Sequence, residues 1–479
     1  MPLSRRAFLA ASTGLAVAAA GRAAEPTSRP ANVVFLFSDE HNTNFVSVYG
    51  HPLVQTPNLE RLAREGTIYD AAWCPSPLCM PCRSSIMSGR RVHEIQTYSN
   101  CNLYESAHPS YGAILREQGV HSVHVGKTDA YRPGAALGFS EMLLPKDRQQ
   151  PGDGNGRRRP LAIRSDGAKR ADGFGVSDDP FRQDDAVMAE ALRWVNERAP
   201  GLEQPWVLSV NLIKPHFPHI VTQALWDRYP EGADLPAHGV EAASAQHPYA
   251  EDLRRHFQTE QFTEDQIRGL RRGYLGCVDY IDQQVGRMLD ALEELGLRDN
   301  TLVIYASDHG EMLGKFGMWW KCSLYEDSLR VPLIVSGPGF ARGVRDSTPV
   351  DLLDVQASFF AATGARRPSD WTGEPLQGLS RNDGDRFAFA EYHGHGVRSG
   401  GYAIRQGEWK LLFNMEAEHQ LFHLGDDPEE LNNRYTSEPA VASRLEDCLR
   451  SVCDPEAENE RAHAFEEQQF ADLAALSAQ

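Results

Sequence analysis

Two cysteines three positions apart, Cys79 and Cys82, lie in the run LCMPCRSSIMSGR (residues 78–90), with Arg83 directly behind them. A pair at this spacing can work as a redox dithiol whose first thiolate gains acidity at a helix start. It can contribute to a zinc site together with Cys74, or both thiols can pack as small apolar side chains. A thioredoxin-like dithiol does not account for the acidic ends of apolar runs elsewhere in the chain, Asp39-Glu40 and Asp308-His309. The zinc reading lacks a second CxxC or a spaced His pair. Plain packing leaves Arg83 without a purpose.

The elements that must position these residues alternate in type. ANVVFLFSDEHN is an apolar, β-branched run that ends in acids, as a buried parallel strand with polar groups at its carboxyl end would. TPNLERLAREG follows as an amphipathic helix with Thr56 as cap, Pro57 in the first turn and Gly66 at the stop. HSVHVG, PWVLSVNLI and NTLVIYASDHGE read as further strands, and DAVMAEALRWVNERA and LGCVDYIDQQVGRMLDALEELG as helices. This alternation predicts an α/β fold with a large, mainly parallel central sheet flanked by helices, and a ligand site outside the carboxyl ends of its strands. Asp39, Glu40, Asp308 and His309 all fall at such ends. From Pro145 to Pro180 the chain is rich in Gly, Arg and Asp and reads as a long surface loop, with Arg157 to Arg159 as a solvated charge run. Past Ser369 the short strands FAFAEYH, GYAIRQGEWKLLFN and QLFHL and the helix EPAVASRLEDCLRSV predict a small α+β subdomain. The expected organisation is therefore an α/β domain over 30–368 that carries the site, the subdomain over 369–454 and a helical tail over 455–479.

The formal charge of −18 disfavours nonspecific attraction to nucleic acid or anionic lipid, so an anionic substrate must be gathered by a local cluster of cations. Residues 1–24 pair Arg5-Arg6 with a short Ala-rich apolar run that ends in small residues. Too short to span a bilayer, this run looks like a twin-arginine signal cut near Gly21 to Ala24. The expectation is a periplasmic or secreted protein that engages the twin-arginine export machinery and carries no stable membrane anchor. That machinery moves folded cargo, so a modification that needs an extended chain must come first. Eight cysteines are few for 479 residues; Cys448 and Cys453 can pair or pack, and no bridge is assigned.

Cys79-x-Pro81-x-Arg83 followed by SSIMSGR resembles the signature of the formylglycine-dependent sulfatases, C-x-P-S-R-x-x-x-x-T-G-R, with Cys82 in place of Ser or Ala and Ser88 in place of Thr. NVVFLFSDE, VGKTDA, KPHFP, the stretch from YASDHGE to the lysine loop at Lys321, and HLGDDPEELNN are similar to further motifs of that family, in the same order, over about Ala31 to Arg434. The combination GKTD, LIKPHFP, KCSLYEDSLRVPL and AEYHGHGV looks most like its arylsulfatase K branch.

The resemblance implies an alkaline phosphatase-like fold and oxidation of Cys79 to formylglycine by a dedicated maturation enzyme. The aldehyde hydrate offers one hydroxyl to attack sulfur and a second to collapse and expel sulfate. It further implies a metal held by Asp39, Glu40, Asp308 and His309, with calcium favoured by hard oxygen ligands and magnesium as runner-up. Glu40 stands where the family more often has Asp. Arg83, Lys127 and Lys321 match basic positions around the nucleophile and the sulfate, and His216 matches the acid that protonates the departing oxygen. Asp129 stands where many members carry His, which hints at a sugar hydroxyl, and His393 and Arg405 are candidate carboxylate or hydroxyl contacts. The implied substrate is a sulfated carbohydrate, a terminal 2-O-sulfated uronic acid of a glycosaminoglycan-type chain. Two other readings stay open: a phosphodiester or phosphonate monoester hydrolase on the same scaffold, and a non-catalytic binder of sulfated glycans.

Overall fold

The structure is a computed structural model that describes residues 30–101, 108–129, 134–147 and 156–477. The expected export signal lies outside the described residues. An eight-stranded sheet forms from β1 (Asn32–Asp39), β2 (Thr67–Tyr69), β3 (His121–Lys127), β4 (Glu141–Lys146), β5 (Trp206–Pro215), β6 (Thr301–Ser307), β7 (Leu333–Ser336) and β8 (Val344–Asp346). Across the sheet the order is β8-β2-β7-β6-β1-β5-β3-β4, and only β7 runs against the rest. All eight residues of β1 are buried, as expected of a central parallel strand covered on both faces. Its side chains alternate: Val33, Phe35 and Phe37 join the core on one face, and Val34 and Leu36 that on the other.

The helices that cover the sheet are α1 (Pro57–Arg64), α2 (Cys79–Ser88), α3 (Arg182–Glu197), α4 (Glu264–Glu294) and α5 (Leu352–Thr363). On the Val34 face, α3 contributes Met188 and Trp194 and α4 contributes Ile281, Met288 and Leu292; α5 places Val355 and Phe359 in the opposite core. Because β1 has β3, β4 and β5 on one side and the other four strands on the other, its carboxyl end opens between β5 and β6, the position where open α/β sheets bind ligands.

A second, antiparallel sheet follows from β9 (Phe387–Tyr392), β10 (Gly401–Gln406), β11 (Trp409–Asn414) and β12 (Gln420–His423), with α6 (Pro439–Val452) packed on it through Leu445 and Leu449. The tail helix α7 (Pro455–Ser477) turns back onto the α/β unit. There Tyr98 donates to Glu458 at 2.6 Å, Asn459 Oδ1 accepts from the Gly400 amide at 2.8 Å, and Arg461 donates to the His93 carbonyl at 2.7 Å. This tail corrects the reading of Arg158, in the middle of residues 157–159, as solvated, while Arg157 and Arg159 keep 40% of their side chains exposed. Arg158 is 1% exposed and its Nε donates to Glu466 at 2.7 Å, while Arg157 and Arg159 pair with Glu467 and Glu416. The surrounding segment also has regular structure: Phe174–Val176 pairs in parallel with His219–Val221. All eight cysteines are free.

Candidate active site

Cys79 is the first residue of α2, directly after Leu78, whose backbone is extended. The helix stops at Gly89, with φ of 65°, where a Cβ would lie 2.1 Å from the Trp371 ring. Helix α2 therefore has a fixed start and a fixed end, and it delivers Cys79 and Arg83 to the carboxyl ends of β1 and β6. Cys79, only 2% exposed, has its Sγ 3.3 Å from His309 Nε2 and 4.0 Å from Asp39 Oδ1.

Asp39 ends β1, and Asp308 follows β6. Arg83 spans them: its Nε donates to Asp308 Oδ2 at 2.7 Å, one terminal nitrogen reaches Asp39 Oδ2 at 3.4 Å, and the other reaches Asn211 Oδ1 at 3.3 Å. Its guanidinium also lies over the Phe37 ring, 4.8 Å from the centroid. Lys127, at the end of β3, donates to Asp39 Oδ2 and stands 3.4 Å from Asp129. Burial works against ionisation of Asp39, yet Lys127, His216, Arg83 and Lys321 together hold its carboxyl well below the usual range.

Glu40 adopts φ of 64°, a left-handed conformation that costs a non-glycine residue and is held from three sides. Its amide donates to Asp308 Oδ1 at 3.1 Å, and its carbonyl accepts from the Tyr274 hydroxyl at 2.8 Å. Its fully buried carboxylate lies 3.3 Å from Lys321 Nζ and 3.4 Å from His216 Nε2, but neither oxygen has an aligned hydrogen bond. His216 donates from Nδ1 to the Phe217 carbonyl at 2.7 Å, so Nε2 is the nitrogen that gains and loses a proton. Burial, then Lys321, push its pKa well below the ordinary histidine value. His309 is the converse: burial pulls its pKa down, but Asp308 and the Cys79 sulfur outweigh that and raise it to about 9. Its Nδ1 is fixed on the Gly310 carbonyl at 3.0 Å, which leaves Nε2 facing Cys79.

Ligand atoms of Asp39, Cys79, Asp308 and His309 all lie within 4.8 Å of one another, and a second such group, Asp39, Glu40 and His216, shares Asp39. Two features fit this place to a divalent cation: Glu40 carries buried oxygens without hydrogen bonds, and the carboxylates of Asp39 and Asp308 converge with the His309 ring within 4.8 Å. The carboxylate donors suit a hard ion, whereas a plain thiol at position 79 is a soft ligand among them.

Of these groups Cys79 and His216 reach the floor of a cavity of about 610 Å³, whose lining also includes Lys127 and Lys321. Asp129 joins this floor, and Lys146, Arg164, Arg170 and Lys214 stand on the walls. Two expected substrate contacts are elsewhere. Arg405, on β10, spends its guanidinium on Glu326 at 3.3 Å within a buried network with Lys410. His393 lies 3.0 Å from Glu391 between the rings of Tyr98 and Tyr402, against α7. Neither lines the cavity; from the same AEYHGHGV run it is His395 that does. Asn211, Tyr274 and Lys214 escape a reading of the sequence. Only Lys214 carried a signal there, its place two residues before His216 in LIKPHFP.

Comparison with known proteins converges on one group. The family model described as Sulfatase matches residues 31–365, and one described as N-sulphoglucosamine sulphohydrolase, C-terminal, matches residues 314–453. A choline-sulfatase of Rhizobium meliloti is 29% identical over 431 residues, 85% of this chain and 82% of its own. Human arylsulfatase K is 25% identical over 494 residues, 96% of this chain and 89% of its own. Among solved structures, one in complex with its substrate D-glucosamine-2-N,6-O-disulfate superposes with a TM-score of 0.71 at 20% identity, over 90% of this chain and 99% of that one. A phosphonate monoester hydrolase of Agrobacterium radiobacter gives 0.70 at 21% over 91% and 96%, and a 2-O GAG sulfatase gives 0.67 at 21% over 90% and 96%. At these identities the structural matches speak for the fold.

Proposed function

The chain belongs to the sulfatase family of sulfuric ester hydrolases, and from that premise we propose that it removes a sulfate from a sulfated sugar, a terminal 2-O-sulfated uronic acid, at the cavity above Cys79. The observation that carries the reading is the convergence of Cys79 Sγ on Asp39 and His309 at the base of a cavity whose floor also bears Lys127, Lys321 and His216. The uronate follows from the resemblance of GKTD, LIKPHFP, KCSLYEDSLRVPL and AEYHGHGV to the arylsulfatase K branch, whose members are among the relatives that match this chain.

An aldehyde hydrate at position 79 would supply an oxygen nucleophile, and Asp39, Asp308, His309 and Glu40 would hold a divalent cation that would supply Lewis acidity and offset negative charge on the ester. The chain's own groups do the rest. Arg83 fixes Asp39 and Asp308 relative to each other. Lys127 and Lys321, both kept charged by nearby acids that outweigh their burial, face the cavity and oppose the charge that builds on the sulfuryl oxygens. His216, bound through Nδ1, presents Nε2 to the cavity for transfer of a proton to the leaving oxygen; the negative ester counters the burial and the Lys321 charge that otherwise keep this ring neutral. Asp129, placed by Lys127, stands ready to accept from a sugar hydroxyl. Calcium is the proposed ion, and maturation before twin-arginine export to the periplasm is the proposed history. Among the described residues no helix is long and apolar enough to cross a membrane.

A panel of defined sulfated sugars tests the substrate. Turnover of a 6-O-sulfated amino sugar but not of a 2-O-sulfated uronate would reject it. The likeness to a phosphonate monoester hydrolase favours a second reading, hydrolysis of phosphate or phosphonate esters at the same floor. Rates on an aryl sulfate and an aryl phosphodiester, measured side by side, separate the two.

A further inference from the structure

Beyond the cations of the floor, the lining of the cavity carries Lys146, Arg164, Arg170 and Lys214 together with the acids Asp129, Asp147 and Asp184, and of these cations Lys214 has the least usual surroundings. Lys214 is 7% exposed, and its ammonium is held on the carbonyls of Pro218 and, at 3.5 Å, His216. Among the described residues no carboxylate comes within 4.0 Å of it. The nearby Asp184 is engaged instead by main-chain amides, those of Lys214 at 2.8 Å and Ile213 at 2.9 Å. A buried ammonium served only by neutral carbonyls is expensive unless an anion completes it. Arg164 and Arg170 line the same cavity, and each places its Nε on the carboxylate of Asp166, at 3.2 and 3.3 Å. Arg170 also stacks on Phe217, 5.0 Å from the ring centroid, beside the turn that holds His216.

We propose that Lys214, with Arg170 and Arg164, forms a second anion subsite that takes a negatively charged substituent of the substrate other than the sulfate being removed. The proposal rests on the sulfatase reading of this cavity. Its chemistry is that of an oxyanion, a carboxylate or a second sulfate, held on a half-enclosed wall. A cavity of about 610 Å³ accommodates a sugar bearing both groups. The same wall disfavours a sulfate ester whose alcohol is a quaternary ammonium, because the cation would meet Lys214 and Arg170.

The test compares three matched substrates: a 2-O-sulfated uronate, its carboxyl-reduced counterpart, and that counterpart with a second sulfate in place of the carboxylate. Wild-type enzyme is expected to favour an anionic partner over the carboxyl-reduced sugar by about 30-fold in kcat/KM, mostly through KM, as for one charge-assisted contact. The anion it prefers identifies the natural group. Lys214→Met should bring that ratio to within about 3-fold, with Arg170→Met intermediate. A wild type that does not distinguish the three overturns the proposal. So does a Lys214→Met enzyme that loses the same factor on all of them, because that assigns Lys214 to holding the His216–Pro218 turn. Calorimetric binding of the same sugars to Cys79→Ala protein measures the ratio without turnover, so a failure of the hydrolase reading and a failure of the subsite give different results.

Discussion

Replacing Arg83 by Lys keeps the charge and removes the fork. In the native protein the guanidinium is 4% exposed and divides its donors among Asp308 Oδ2 at 2.7 Å, Asp39 Oδ2 at 3.4 Å and Asn211 Oδ1 at 3.3 Å. An ammonium donates from one point and cannot span the ends of β1, β5 and β6 together. The bond to Asp308 is short and charge-assisted, worth about 1.5–3 kcal/mol net; the longer contacts and the stacking on Phe37 add less, about 1 kcal/mol each. If the lysine keeps one carboxylate, the variant should be destabilised by about 3–4 kcal/mol, with part of that from a buried acceptor left unmet. Urea unfolding with matched slopes checks this. At a slope of about 3 kcal/mol per molar or more, the midpoint falls by roughly 1 M. The exposed Arg193, paired with Glu190 and Glu197 on α3, is the control, and Arg193→Lys should leave the midpoint unchanged. An Arg83→Lys midpoint that matches wild type would refute the claim that this fork sets the spacing of the two acids.

Mass spectrometry of the segment Leu78–Arg83 from protein made in its native host should find an aldehyde at position 79, and a persistent thiol there would favour the non-catalytic binder. Lys321→Met removes the cation that, after burial, most lowers the pKa of His216. Protonated His216 is then repelled less and its pKa rises, so the alkaline limb of the rate profile should move to higher pH; a limb that stays or falls removes His216 from the role of acid. Chelation of divalent cations should lower the thermal midpoint, with calcium restoring it more fully than magnesium. No change would mean that Arg83, Lys127 and Lys321 alone stabilise the acids.

The sheet and the floor of the site were legible in the sequence for a local reason. A strand buried on both faces is an uninterrupted apolar run, and where NVVFLFSD and TLVIYASD break into acids the chain leaves the core at the ligand end of the sheet. Cys79 and Arg83 were legible because both sit on one short helix. The partners that complete the site were not: Asn211 meets Arg83 across 128 positions and Tyr274 meets Glu40 across 234, distances over which periodicity carries no information. Arg405 and His393 were misplaced for a related reason. His393 and His395 lie in the turn after β9, where neither the strand nor the helix period applies, and the motif alone could not say that His395 rather than His393 reaches the cavity. Arg158 read as solvated because the carboxylate that buries it lies 308 positions away.

That separation bears on the order of events in synthesis. Helix α7 supplies Glu466 to Arg158, Glu458 to Tyr98 and Asn459 to Gly400, so those parts cannot settle into their final packing until residues 455–466 have been translated. A nascent chain that already contains both sheets would still be unlatched around residues 93–98, just beyond the helix that begins at Cys79. Under the proposed maturation of Cys79, this is the interval in which an oxidising enzyme that works on extended polypeptide would reach the thiol.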